Sequence, residues 1–101
     1  MSIQDTIKAA TEDAIRGHAR SSMAQLGELC KDAEKYDNDT LLELGVALHT
    51  TGIYAEAIRI FELLASNTAI STETVARLFD CAHKCGDSPR AYHWGARACC
   101  V

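Results

Sequence analysis

The stretch LLELGVALHTTGIYAEAIRIF, residues 41–61, decides the fold of this chain. Leu41 and Leu48 lie seven residues apart and share one face of a helix, and Gly45 between them allows a second helix to approach closely. Gly52 permits the positive-φ turn that ends the first helix, and the small side chain of Ala57 suits the point where the second helix crosses it. The stretch therefore predicts a hairpin of two helices.

The same register recurs 34 residues later, where Gly86 takes the place of the turn glycine. Two positions depart from it. Phe79 stands where the first stretch has its close-contact glycine, and Gly95 stands where the second helix has its aromatic residue. We expect Trp94, one residue before Gly95, to fill the space that the missing aromatic leaves.

A less regular version of the hairpin pattern precedes these two stretches. Gly17 lies 35 residues before Gly52, and an apolar stripe runs from Ile3 through Ile7. The chain is thus predicted to form one domain over 1–101, with hairpins at about 3–37, 38–71 and 72–101. The helices are predicted at about 3–16, 21–35, 39–51, 54–66, 71–85 and 88–100.

The spacing resembles the tetratricopeptide repeat, a helical hairpin of about 34 residues. The resemblance covers 38–100 closely and 3–37 loosely, with Leu41 and Leu48 replacing the usual aromatic residues. It implies an all-α fold in which three degenerate hairpins form a short right-handed solenoid. In such a solenoid the first helix of each hairpin lines a concave groove.

Composition narrows the class of partner. The formal charge of −4 and the pI near 5.4 provide no basic surface for nucleic acid or an anionic membrane. The N-terminus lacks a secretion signal and no run of about 18 apolar residues occurs, which predicts a cytoplasmic protein. An odd number of cysteines, five, is typical of reduced thiols.

The cysteines and histidines of the last hairpin suggest two alternatives to a binding role, a zinc site and a thiol nucleophile. Cys81, His83, Cys85 and His93 supply ligand types for zinc, but His83 lies about 160° around the helix from the midpoint of the two cysteines. A thiol nucleophile formed by Cys85 and His93 across the last hairpin stays open as the enzyme alternative. The sequence predicts no enzyme, no cofactor and no metal.

The tetratricopeptide register implies which residues line the groove. They are Ile7, Ile15, Leu42, Val46, His49, Thr50, Ala76, Asp80, His83 and Lys84. Clamps for acidic tails need a set of inward Lys, Arg and Asn residues, of which this register supplies only Lys84, whereas Leu42, Val46 and Ala76 suit an amphipathic helix. The alternative is that Leu42 and Val46 simply pack against neighbouring helices.

The C-terminal helix is expected to leave apolar surface exposed, because repeat arrays normally finish with a polar capping helix and this sequence stops at Val101. The residues of this C-terminal face are Tyr92, Trp94, Ala98 and Cys99. A partner or self-association is expected to cover it.

Within the tetratricopeptide proteins, residues 52–57, 63–65 and 77–81 resemble the chaperones of bacterial type III secretion needle subunits. The resemblance implies that the groove binds the subunit's C-terminal amphipathic helix in the cytoplasm and prevents premature polymerisation. It also implies that a small helical co-chaperone joins through the first hairpin. A chaperone or adaptor for another secreted or cytosolic protein remains the alternative.

Overall fold

The computed structural model describes residues 3–17 and 19–99, including all side chains in these ranges except those of 19 and 97–99. This part of the chain forms six α-helices and no strand, which confirms the all-α class. The helices are α1 (Ile3–Ile15), α2 (Ala19–Cys30), α3 (Asn38–Thr50), α4 (Tyr54–Asn67), α5 (Thr72–Lys84) and α6 (Ser88–Cys99). None of these helices is long and apolar enough to cross a membrane.

The helices pack in consecutive pairs. The most extensive contacts join α1 to α2, α3 to α4 and α5 to α6, and further contacts join α4 to α5 and α1 to α3. The body that results measures 39 × 26 × 19 Å. Each pair therefore lies against the next, with α3 contacting both α1 and α5.

Equivalent turns close the second and third pairs. Gly52 and Gly86 have φ angles of 85° and 73°, a region that costs a residue with a Cβ free energy. After each glycine the next amide donates a 2.9 Å hydrogen bond to a carbonyl five residues back, that of Leu48 or Ala82. This arrangement satisfies one carbonyl in the last turn of each of α3 and α5. The predicted positive-φ turn at Gly52 is confirmed, and it recurs 34 residues later.

Close packing of α3 on α4 depends on a glycine. A Cβ added to Gly45 would lie 2.5 Å from Cε1 of Phe61, whose ring is fully buried. In the third pair the residue types are exchanged, because a Cβ on Gly95 would lie 2.9 Å from Cδ2 of Phe79. Both hairpins thus bring one aromatic ring against a bare backbone, which keeps their helices close.

The prediction of a helix over 21–35 was wrong at its end, because α2 stops at Cys30 and Ala33–Lys35 forms a short 3₁₀-helix. Ala33 is buried in the core, and the Tyr36 hydroxyl donates a 2.7 Å hydrogen bond to the carbonyl of Leu29. These contacts turn the chain toward α3, which begins with Asp37 accepting a hydrogen bond from the amide of Thr40.

Candidate functional site

An open groove of about 470 Å³ lies between α1 and α3. We call it the α1–α3 groove. It is lined by Ile7, Lys8, Thr11, Glu12, Leu42, Glu43, Val46, Ala47 and Thr50. Most of its surface is apolar, and its floor belongs to the core through the buried side chains of Ile7 and Ala47.

Four of the predicted groove residues meet in this space: Ile7, Leu42, Val46 and Thr50. Val46 packs partly against the core, as the alternative interpretation expects. Leu42 nevertheless leaves 39% of its surface exposed at the groove wall. Since a leucine in a filled helix interface is almost fully buried, the side chains that the structure describes do not fill this groove.

Three other predicted groove residues, His49, Asp80 and Lys84, form a polar bridge from α3 to α5. His49 Nε2 lies 2.7 Å from Asp80 Oδ2, and Lys84 Nζ lies 3.3 Å from the same oxygen. Arg77 Nη1 lies 3.2 Å from His49 Nδ1. A guanidinium can only donate, so Nδ1 accepts and Nε2–H donates to Asp80.

This bridge is both a structural tie and a charged surface. The hydrogen bond from His49, together with Lys84, holds the pKa of Asp80 below its ordinary value. The Lys84 ammonium also lies 5.1 Å from the centre of the Tyr54 ring, a cation–π distance. The side chains of His49, Asp80 and Lys84 are therefore occupied by contacts with one another and with Tyr54, and they do not line the α1–α3 groove.

The remaining predicted groove residues lie outside the α1–α3 groove. Ile15, at the last position of α1, exposes 74% of its surface, and Ala76 is exposed on α5. His83 is also exposed, and its ring stacks on Phe79 with the two centres 6.1 Å apart. The structure thus does not bring these three side chains into the α1–α3 groove.

The predicted C-terminal face needs a correction at Trp94, which is only 5% exposed. Its indole packs into the core, and Nε1–H donates to Glu62 Oε2 at 3.3 Å, because α6 turns this side chain toward α4. Tyr92, at 82% exposure, does lie open to solvent. The side chains of Ala98 and Cys99 lie outside the described residues.

Two of the thiols are poorly suited to act as nucleophiles. Cys30 and Cys81 are buried, and burial raises the pKa of each to about 11, which leaves little thiolate at neutral pH. Cys85 is exposed. Among the side chains that the structure describes, no three of His, Cys, Asp or Glu are grouped closely enough to hold a metal ion.

Sequence reasoning missed Glu43. It lines the α1–α3 groove, and its Oε2 is buried without a hydrogen-bond partner in the part of the chain that the structure describes. The signal was present, because Glu43 precedes Val46 by three residues and so shares its helical face.

Comparisons with family models, with curated proteins and with solved structures give no match to this chain.

Proposed function

We propose that the chain is a cytoplasmic chaperone that sequesters a type III secretion needle subunit by holding an amphipathic helix of the subunit in the α1–α3 groove. The observation that carries the proposal is the open apolar groove itself, with Leu42 exposed at its wall. Helices commonly bind proteins by laying apolar residues into such a groove.

The dimensions of the groove suit a short stretch of helix. Leu42, Val46 and Thr50 follow one another at intervals of four residues along α3, so their row is about 12 Å long. That length matches about two turns of a bound helix, which present two or three apolar anchors.

Sequestration needs no catalytic group. A subunit that polymerises must expose apolar helix surface to its neighbours, and covering one such surface blocks addition of the next subunit. Binding the monomer also withdraws it from the assembly equilibrium by mass action. Release at the secretion machinery would then restore the competent subunit.

The proposal includes a small helical co-chaperone on the first hairpin. Ile3, Ile15 and Met23 are exposed on α1 and α2, outside the lining of the α1–α3 groove. Exposed apolar side chains supply contact area to a partner that covers them. The same side chains would favour self-association of the chain when it is alone.

The test is co-expression of the chain with a needle subunit from its own host. We expect a soluble complex, and we expect Leu42→Asp and Val46→Asp to abolish it while circular dichroism shows a folded chain. Ala55→Asp, an exposed alanine on α4 outside the groove, is the matched control and should retain the complex.

Two results would overturn the proposal. One is capture of the subunit by folded variants with aspartate in the groove. The other is a needle subunit that polymerises at the same rate with and without the chain. Copurification of a different secreted or cytosolic protein, lost in the same two variants, would support the adaptor alternative.

A further inference from the structure

Glu43 places a carboxylate in a groove that is otherwise mostly apolar. Its Oε2 is buried and accepts no hydrogen bond from any residue that the structure describes, and this includes Lys8 on the opposite wall. Leaving a buried carboxylate oxygen unpaired costs free energy that the rest of the fold must supply. A donor brought by the bound molecule would recover it.

We propose that the α1–α3 groove selects a helix that carries a lysine or arginine among its apolar contact residues, and that this residue donates to Glu43 Oε2. The inference rests on the proposed function, since it names what the bound helix must contain. Three charged side chains line the groove, and two are carboxylates, Glu12 and Glu43, against one ammonium, Lys8. This balance favours a cation and repels an acidic segment.

The position of Glu43 also sets where the cation must lie. Glu43 follows Leu42 directly and shares the face of Val46, so it lies beside the apolar row within one helical turn. The basic residue of the bound helix should therefore lie within one turn of an apolar anchor. Its methylene stem can cover Leu42 while its charged end reaches the carboxylate.

The first test uses the unbound chain. Glu43→Met should raise the melting temperature by about 5 °C, because it replaces an unpaired carboxylate with an apolar side chain of similar size. Glu12→Met, on the opposite wall where the carboxylate is exposed, is the matched control and should change it little. A melting temperature that is unchanged or lower in Glu43→Met would overturn the inference.

The second test measures recognition with stapled amphipathic peptides that share one leucine pattern. They differ only in one residue, placed one turn from the central leucine, which is Lys, norleucine or Glu. By fluorescence anisotropy the Lys peptide should bind the full chain about tenfold more tightly than the norleucine peptide, and the Glu peptide should bind most weakly. Glu43→Lys should reverse the order of the Lys and Glu peptides.

The outcomes separate the two proposals. If the peptides bind, Val46→Asp abolishes binding and Glu43→Lys leaves the order unchanged, selection by Glu43 is overturned while helix binding in the groove stands. If no peptide binds, or if binding is indifferent to Val46→Asp, the groove proposal fails and this inference fails with it.

Discussion

Phe79 on α5 packs its ring against the bare backbone of Gly95 on α6. Thirty-four residues earlier, the corresponding positions hold Gly45 and Phe61, with the aromatic residue and the glycine exchanged between the two helices. Each hairpin therefore keeps one ring and one glycine at the crossing. What recurs is the complementarity of the pair, because either order places a ring against a backbone that carries no Cβ.

Gly45→Ala should destabilise the chain by about 2 kcal/mol, because its Cβ would lie 2.5 Å from the buried ring of Phe61. Gly27→Ala is the matched control, since Gly27 is in the interior of α2 with no atom near the added methyl group. It should stabilise the chain by about 0.5–1 kcal/mol through helix propensity. Urea unfolding of both variants measures the difference, and equal effects would contradict the packing account.

The order of ring and glycine found in the third hairpin can be introduced into the second hairpin by mutation. Gly45→Phe alone should unfold or strongly destabilise the chain, because the new ring meets the ring of Phe61. Adding Phe61→Gly should recover part of that loss, since the double variant reproduces the arrangement of Phe79 and Gly95. A double-mutant cycle should thus give a favourable coupling of about 1–3 kcal/mol. Additive losses would show that the two hairpins do not tolerate the same exchange.

The bridge between α3 and α5 should make stability depend on pH. Because its contacts with His49 and Lys84 lower the pKa of Asp80, the stability that they contribute is present above the unfolded value of about 3.8. It is lost as the pH falls through the lower, folded pKa. Asp80→Asn should therefore lower the free energy of unfolding by about 1 kcal/mol at pH 7 and by less at pH 3.

Glu34→Gln, which changes an exposed carboxylate of the short 3₁₀-helix, is the control for that experiment. Denaturant curves for the three proteins at pH 3, 5 and 7 give the comparison. A difference between wild type and Asp80→Asn that stayed constant from pH 7 to pH 3 would contradict the assigned charge interaction.

The cysteines should differ in reactivity. In the folded chain at pH 7.5, N-ethylmaleimide should label Cys85 quickly and Cys30 and Cys81 slowly. Burial limits access, and a pKa of about 11 cuts the thiolate fraction roughly a hundredfold relative to the ordinary value of 9.0. Site-resolved mass spectrometry in buffer and in urea checks this. Equal labelling of the three in buffer would contradict the buried positions.

Local features of this fold could be predicted from the sequence. The turn at Gly52 depends on a conformation that glycine adopts without cost, and the space beside Gly45 depends on the absence of a side chain. Only glycine meets either requirement, so the residue type alone indicates the local structure. These requirements identified the second hairpin and the repetition of its turn at Gly86.

Features that depend on distant partners could not be predicted. Trp94 was expected on the exposed C-terminal face as well as in the space left beside Gly95. It is buried, because α4 supplies Glu62, 32 residues earlier, as the acceptor for the indole N–H. The end of α2 depends on the burial of Ala33, although residues 31–35 contain good helix formers. His49 and Asp80 were expected to line the groove, and the hydrogen bond that joins them across the bridge, between residues 31 positions apart, could not be predicted from the sequence.

The location of the bound helix tests the account most directly. A photoreactive benzoylphenylalanine placed at Leu42 and, in a separate variant, at Ala55 reports contacts in the α1–α3 groove and on the α4 side. With the needle subunit bound, we predict a covalent adduct from position 42 to an amphipathic helix of the subunit and none from position 55. An adduct from position 55 with none from position 42 would contradict the claim that the α1–α3 groove holds the partner.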